Sequence, residues 1–170
     1  GQGRVTGWAH RMAIASRGGE EVLDDAEWVE AGALPSEIVP GLDQNRPPYD
    51  FLSPASFDSR SVGNPLPTGA WRSVNNTQVS FANESFFDEM AAAAGRDPME
   101  WRLELVNSGP LRQTLELAAE RSGWGGALPH GHGRGVACFI GYDSYCTQVL
   151  EVSVSPEGTV RVHRATVVTD

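Results

Sequence analysis

The pattern of apolar positions divides the chain into stretches of different periodicity. Residues 4–16 alternate between two sides, which predicts a strand. Residues 20–31 place four apolar side chains on one helical face and acidic residues on the other, which predicts a surface helix. Residues 32–66 are rich in proline and have no long period, so we expect an irregular region with short extended pieces.

A three- and four-residue spacing then predicts three helices. The first is expected to begin near Thr77 and to end at Gly95, which suits the left-handed position after a helix. Its expected inward face, widened by Phe87, consists of Val79, Ala82, Phe86, Met90 and Ala94.

The second helix carries a clear start signal, and the third carries both a start and a stop. Asp97 suits the N-cap, Pro98 suits the first helical position, and Glu100 completes a capping box. The third helix is expected from Pro110 to about Ser122, with Gly123 as its stop. Its expected inward residues are Leu111, Leu115 and Ala118.

After a Gly-rich connector the period changes to two. The stretches "GVACFIGYDSYCTQVLEVSVS" and "TVRVHRATVV" flank the turn residues "PEG", which predicts a C-terminal β-hairpin. Leu150, Val152 and Val154 are expected on one face of the first strand, and Val160 and Val162 on one face of its partner. The fold class is therefore α+β, in three segments: 1–66, 67–123 and 134–170. Because both ends lie in strand-like sequence, we expect an internal piece of a longer polypeptide.

Composition excludes some functions. The chain has 170 residues and a net charge of −9, which argues against nucleic acid as a partner because phosphate binding needs a basic surface. No apolar run approaches the roughly 18 residues that span a membrane. The two cysteines, Cys138 and Cys146, do not form a disulfide framework. Free thiols are favoured, and pairing stays open.

Two other kinds of site are weak. His130 and His132 lie two residues apart in a Gly-rich loop, but structural zinc usually needs four ligands and no further Cys or His lies nearby in sequence. We therefore predict no metal site, and a solvated loop instead. The stretch "GYDSY" lacks the G-x-S-x-G pattern, so no nucleophile of that kind is predicted here.

The stretch "PTGAWRSVNNTQ" points to an anionic ligand. Arg72 stands a few residues before a predicted helix N-terminus, where free N–H groups and the helix dipole favour negative charge. A guanidinium is planar and rich in donors, and it suits oxyanions. Asn75, Asn76 and Gln78 add neutral hydrogen-bonding groups. The alternative is an arginine that forms a salt bridge within its own acidic domain, and the residues alone leave both open.

The stretch from Pro67 to Val106 resembles the large, molybdenum-cofactor-binding subunit of the xanthine dehydrogenase/aldehyde oxidase family. It is most similar to the β-subunit of isoquinoline 1-oxidoreductase. The residues that carry the resemblance are Trp71, Arg72, Ser73, Val74, Gln78, Glu84, "DEMA" at 88–91, Gly95, Asp97, Pro98, Glu100 and Arg102. The stretches "GRVTGWAHR" and "GRGVA" with "YCTQVLEVSVSPEGTVRVHRATVVTD" are similar in the same order.

The resemblance implies an oxidoreductase that holds molybdopterin cytosine dinucleotide and oxidises an aldehyde or N-heterocycle with oxygen from water. It implies electron transfer to a small [2Fe–2S] subunit. It places Trp71, Arg72, Ser73 and Gln78 at the cofactor, and Val74 and Asn75 at the substrate pocket. Since Val74 is aliphatic where xanthine-oxidising relatives have an aromatic, a stacked purine is not expected.

The resemblance also implies that the catalytic glutamate and the Gly-rich cofactor segments lie outside these residues. The isolated chain is therefore expected to bind no cofactor and to be inactive. A stand-alone, non-catalytic binding module with the same fold is the alternative. A cytoplasmic and a periplasmic location both stay open.

Overall fold

A computed structural model describes residues 5, 7–15, 47–49, 55–62, 72–73, 76–107 and 109–170. The chain divides into two compact units, which are described separately. One comprises Gly1–Arg46 and Phe51–Thr77, and the other comprises Pro47–Asp50 and Gln78–Asp170. The surface helix predicted at residues 20–31 lies outside the described residues.

The first unit contains a parallel two-stranded sheet. Strand β1 (Trp8–Ala15) confirms the strand predicted at residues 4–16, and it pairs in register with β2 (Ala55–Val62), from Trp8 opposite Ala55 onwards. β2 lies within the region that the sequence predicted to be irregular, so that region contains a longer strand than expected. Its sequence, "ASFDSRSV", lacks the apolar alternation that marks a half-buried strand.

Three helices follow the predicted order. Helix α1 spans Asn76–Ala94, α2 spans Pro98–Leu105 and α3 spans Pro110–Ser122. The Asp97 carboxylate accepts from the backbone N–H groups of Met99 and Glu100, which confirms the predicted N-cap. Gly123 adopts the left-handed conformation (φ 66°, ψ 43°), and its N–H reaches the last carbonyls of α3.

The predicted inward face of α1 is confirmed at Val79 and Phe87 and is wrong elsewhere. Phe86 is 47% exposed, and Ala82 and Ala94 are also exposed. The buried positions on this helix, counted from the N-terminus, are Asn76, Val79, Asn83, Glu84, Phe87 and Ala91. Three of these six are polar, so the hydrophobic pattern alone could identify only part of the buried stripe. The predicted inward residues of α3, in contrast, are all buried.

The C-terminal region is a three-stranded antiparallel sheet, one strand more than the predicted hairpin. Its strands are β3 (His132–Gly141), β4 (Ser144–Val154) and β5 (Val160–Thr169), in that spatial order. The additional turn is Tyr142-Asp143, with φ values of 53° and 59°. Positive φ at both central residues is typical of a type I′ hairpin turn, usually marked by Asn-Gly, which this sequence lacks.

One face of this sheet packs on the helices. Val136, Cys138, Thr147 and Val149 are buried there, and the Thr147 hydroxyl lies 2.9 Å from that of Thr114 on α3. The opposite face is open among the described residues. It carries the exposed apolar side chains of Leu150, Val154, Val160, Val162 and Val167. These include four of the five predicted to share faces.

The described helices contain no stretch that is both long and apolar enough to cross a membrane.

Candidate functional site

The loop before α1 presents Arg72 to solvent. Arg72 and Ser73 form a turn, and both are exposed. Ser73 has a φ of 66°, which is sparsely populated for a residue other than glycine. Its carbonyl accepts a hydrogen bond from the Asn76 N–H at 2.8 Å, which joins the turn to the start of the helix. The backbone is therefore held in an unfavourable local conformation at the predicted site, as is common where a loop serves function.

Asn76 supplies a further donor at this place. The residue is only 5% exposed, and its Nδ2 atom has no hydrogen-bond partner among the described residues. Buried amide groups are normally paired, because an unmade hydrogen bond costs roughly 1–3 kcal/mol. The first N–H groups of a helix also lack partners within the helix. Arg72, Asn76 and the helix N-terminus together offer donors, which suits a ligand that presents acceptors.

The other predicted site residues stay predictions. Trp71, Val74 and Asn75 lie outside the described residues. Gln78 is exposed in the first turn of α1 and belongs to the second unit. The structure thus describes Arg72 and Ser73 in one turn, and leaves the assignment of the remaining four residues to the sequence.

A buried polar cluster in the second unit was missed by the sequence analysis. Its centre is Arg102 on α2, whose side chain is fully buried. Arg102 donates from Nε to the Tyr49 hydroxyl at 2.9 Å and to the Glu84 carboxylate at 3.2 Å. It donates from Nη1 to Asp88 at 2.7 Å and to the Pro98 carbonyl at 3.1 Å. The guanidinium also lies 4.4 Å from the centroid of the Phe87 ring.

Glu84 joins this cluster to the sheet. Its Oε1 accepts from the Tyr49 hydroxyl at 2.6 Å, and its Oε2 accepts from the backbone N–H of Cys138 on β3 at 2.8 Å. The Cys138 Sγ lies 3.4 Å from the Tyr49 hydroxyl. One carboxylate therefore binds groups from the 47–49 segment, from α2 and from β3, and fixes α1 between them.

Burial sets the protonation behaviour of the cluster. It raises the pKa of Glu84 above 4.5, although Arg102 and two hydrogen bonds act in the opposite direction. It also raises the pKa values of the Tyr49 hydroxyl and the Cys138 thiol. Burial works against the charge of Arg102, but Tyr49 and the two carboxylates outweigh it and raise the pKa of the guanidinium. The cation is thus firmly held, and the thiol stays protonated.

The contacts of the cluster are those of a structural framework. Its thiol is buried and protonated, so it is a poor nucleophile. Asp88 is its most exposed carboxylate, and its side chain is 39% exposed. In the sequence, the cluster is marked by the spacing of Glu84, Asp88 and Arg102. These residues are among those that carry the family resemblance, which gave no physical reason for them. The structure gives one, because an isolated buried charge is costly unless it is paired.

The two histidines of the Gly-rich loop have different surroundings. His130 is exposed. His132 begins β3, places Nδ1 3.2 Å from Glu151, and stacks on His163 with 4.2 Å between ring centroids. In the described ranges, no group of three or more His, Cys, Asp or Glu side chains is arranged to hold a metal ion. Cys138 and Cys146 are both free.

Comparison with known proteins gives a partial match. The chain is 37% identical over 79 residues to a nicotinate dehydrogenase subunit of Pseudomonas putida. The match covers 46% of this chain and 6% of the relative. No family model matches the chain. The match supports, at the level of the family, the oxidoreductase resemblance that the motifs indicated, and it does not single out the isoquinoline type.

Proposed function

We propose that these residues form part of the large subunit of a molybdenum-dependent dehydrogenase. The observation that carries the proposal is the 37% identity to a nicotinate dehydrogenase subunit. The motif from Trp71 to Arg102 supports it independently. Because the match covers 6% of the relative, the activity, substrate and partners of the whole protein belong to the proposal as well.

The residues just before and at the start of α1 fit a cofactor that is rich in hydrogen-bond acceptors. Molybdopterin cytosine dinucleotide carries phosphate and dithiolene groups, and bound molybdenum carries oxo groups. Arg72 offers a charged planar fork, and the Asn76 amide offers a buried donor that has no partner in the described part of the chain. The α1 N-terminus adds a partial positive charge. Trp71, Ser73 and Gln78 complete the proposed set of cofactor contacts.

When bound, the cofactor supplies two-electron oxidation chemistry with oxygen derived from water. This chain's own contribution is binding and electrostatics. Arg72 holds an anionic group by charge-assisted hydrogen bonds, which are about twice as strong as neutral ones. The Ser73 turn, joined to Asn76 through one hydrogen bond, fixes the path of the loop that carries Arg72. Val74 and Asn75 border the substrate in this proposal.

The proposed substrate is an aldehyde or an N-heterocycle. The name of the matched relative favours the heterocycle. An aliphatic wall at Val74 suits a small ring better than a stacked purine. Electrons pass to a [2Fe–2S] partner subunit.

The test is cofactor analysis of the intact protein, purified with its partner. We expect about one molybdenum per subunit, released cytidine monophosphate after acid hydrolysis, and ¹⁸O from labelled water in the hydroxylated product of a heterocycle. Intact protein without molybdenum would contradict the proposal and favour a non-catalytic binding module. Molybdenum with a different nucleotide would correct the cofactor form only.

A further inference from the structure

Strand β5 forms one edge of the three-stranded sheet, and its outward backbone groups can be assigned. The Asp170 N–H donates to the Tyr145 carbonyl of β4 at 3.1 Å. Backbone direction alternates along a strand, so the N–H groups of Ala165, Val167 and Thr169 point away from β4. In the described part of the chain, β5 has a strand neighbour on one side only. A ten-residue edge without proline or bulge over its last six positions is a template for another strand.

A groove follows this edge. It has a volume of about 610 Å³ and is lined by β5 residues 164–169 and by Leu117 and Arg121 of α3. Thr114 contacts Thr147, which pairs with Val168, whereas Arg164 donates to the Ser122 carbonyl. Helix α3 therefore runs antiparallel to β5 and forms a wall along the groove.

The spacing of the wall matches a strand. Leu117 and Arg121 are four residues apart, or about 6 Å along a helix. Alternate residues of a strand are about 6.6 Å apart. Two side chains at i and i+2 of an added strand would thus face Leu117 and Arg121. Leu117 is 39% exposed and takes an apolar partner, and Arg121, beside Arg164, takes a carboxylate.

The other side of an added strand extends the open sheet face. Val167, Val162 and Leu150 are 55%, 55% and 37% exposed on that face. Patches of this kind mark interaction surfaces. A net charge of −9 opposes self-association, whereas the two arginines make the groove locally cationic.

We infer that the β5 edge receives an extended segment of the same large subunit from outside these 170 residues. That segment adds as a strand, with an apolar residue over Leu117 and an acidic residue two positions away over Arg121. The choice of occupant rests on the proposed function, since the matched stretch is 6% of a much longer relative. Main-chain hydrogen bonds supply affinity, and the alternate side chains supply specificity.

The test is hydrogen exchange on the intact subunit, read by mass spectrometry over residues 163–170. We expect the Ala165, Val167 and Thr169 amides to exchange at least about tenfold more slowly than in an unstructured chain. Val167→Pro removes one outward donor and no bond to β4, so it should restore fast exchange at Ala165 and Thr169. Val167→Thr keeps the N–H, so exchange at Ala165 and Thr169 should stay slow. Arg121→Glu should also accelerate exchange, through charge repulsion.

Fast exchange at all three amides in the wild-type subunit would overturn the proposal. Protection that falls on dilution, together with a dimer that Val167→Pro dissociates, would assign the edge to a second copy and also overturn it. Molybdenum content separates this proposal from the proposed function. Protected amides in a subunit without molybdenum would support the added strand and contradict the proposed function. Fast-exchanging amides in a subunit that contains molybdenum would refute the added strand and leave the proposed function intact.

Discussion

Arg102 on α2 donates to the Glu84 carboxylate on α1 at 3.2 Å, and both side chains are buried. Glu84 in turn accepts from the N–H of Cys138 on β3. A helix with a polar buried stripe is thereby tied to a second helix and to the sheet by directional bonds. This relationship explains why α1 buries Glu84 and exposes Phe86.

Arg102→Ala should destabilise the protein by about 3–5 kcal/mol, because it leaves the Glu84 carboxylate buried without its cation. Urea unfolding monitored by circular dichroism measures the loss. The matched control is Arg96→Ala, which removes a partly exposed ion pair with Glu104 and should cost about 1 kcal/mol or less. Equal costs for the two variants would show that the cluster contributes no special stability.

Arg112 on α3 is not a neutral position for a further control substitution. Its Nη1 donates to the carbonyls of Leu103 and Val106 at 2.6 and 2.8 Å, so it caps the C-terminal end of α2. Arg112→Ala is therefore expected to lower stability by itself.

Glu84 and Glu151 should give opposite pH dependences. The raised pKa of Glu84 means that folding favours its protonated form, so its contribution to stability falls as pH rises from 4.5 through the folded pKa. Hydrogen bonds from Arg134 and His132 lower the pKa of Glu151, so its contribution is present above 4.5 and is lost as pH falls through the lowered value.

The measurement is the free energy of unfolding from about pH 3 to about pH 8, on both sides of the ordinary glutamate pKa, for wild type, Glu84→Gln and Glu151→Gln. The difference between wild type and Glu84→Gln should shift against the wild type with rising pH. The difference between wild type and Glu151→Gln should shift in favour of the wild type as pH rises through the acidic range. Parallel curves for the two variants would contradict these assignments.

Cys146 should react with iodoacetamide well before Cys138. The Cys138 thiol is buried and its pKa is raised by burial, so it has little thiolate at pH 8. Cys146 is partly exposed. Peptide mass spectrometry over time checks the order, and denaturant should equalise the rates. Early labelling of Cys138 in the folded protein would show that the cluster opens.

Arg72→Ala in the intact subunit should lower kcat by roughly a hundredfold to a thousandfold, because the site loses a preorganised donor. The melting temperature should change little, because the Arg72 side chain is exposed. Arg72→Lys should not restore turnover, since a point charge does not reproduce a planar fork. Arg96→Ala is the control. Near-normal turnover of Arg72→Ala with full molybdenum content would remove Arg72 from the site.

The isolated 170-residue chain should contain no molybdenum and oxidise no aldehyde or heterocycle. The chain contributes one donor-rich turn and helix start, and the proposed remaining contacts come from other segments. Elemental analysis and a dye-linked assay on the purified chain check this. Stoichiometric molybdenum in the chain would show that these residues suffice to bind the cofactor.

The sequence by itself determined the elements whose signals are local. The start of α2 and both limits of α3 follow from Asp97-Pro98, Pro110 and Gly123, because caps and stops act within one turn of the residue that carries them. The inward face of α3 followed as well, since its apolar positions Leu111, Leu115 and Ala118 are all buried. The place of Arg72 shortly before α1 followed in the same way, from its distance to a predicted helix start.

Tertiary structure decided what depends on distant partners. Glu84 is buried because Tyr49, Arg102 and Cys138 reach it from 35, 18 and 54 residues away, and no periodicity encodes such partners. The strand β2 exists through parallel pairing with β1, about 47 residues away in register. The Tyr142-Asp143 turn appeared only with the β3–β4 pairing that requires it. Burial of charge, non-local pairing and register are collective properties, whereas caps and helical faces are local ones.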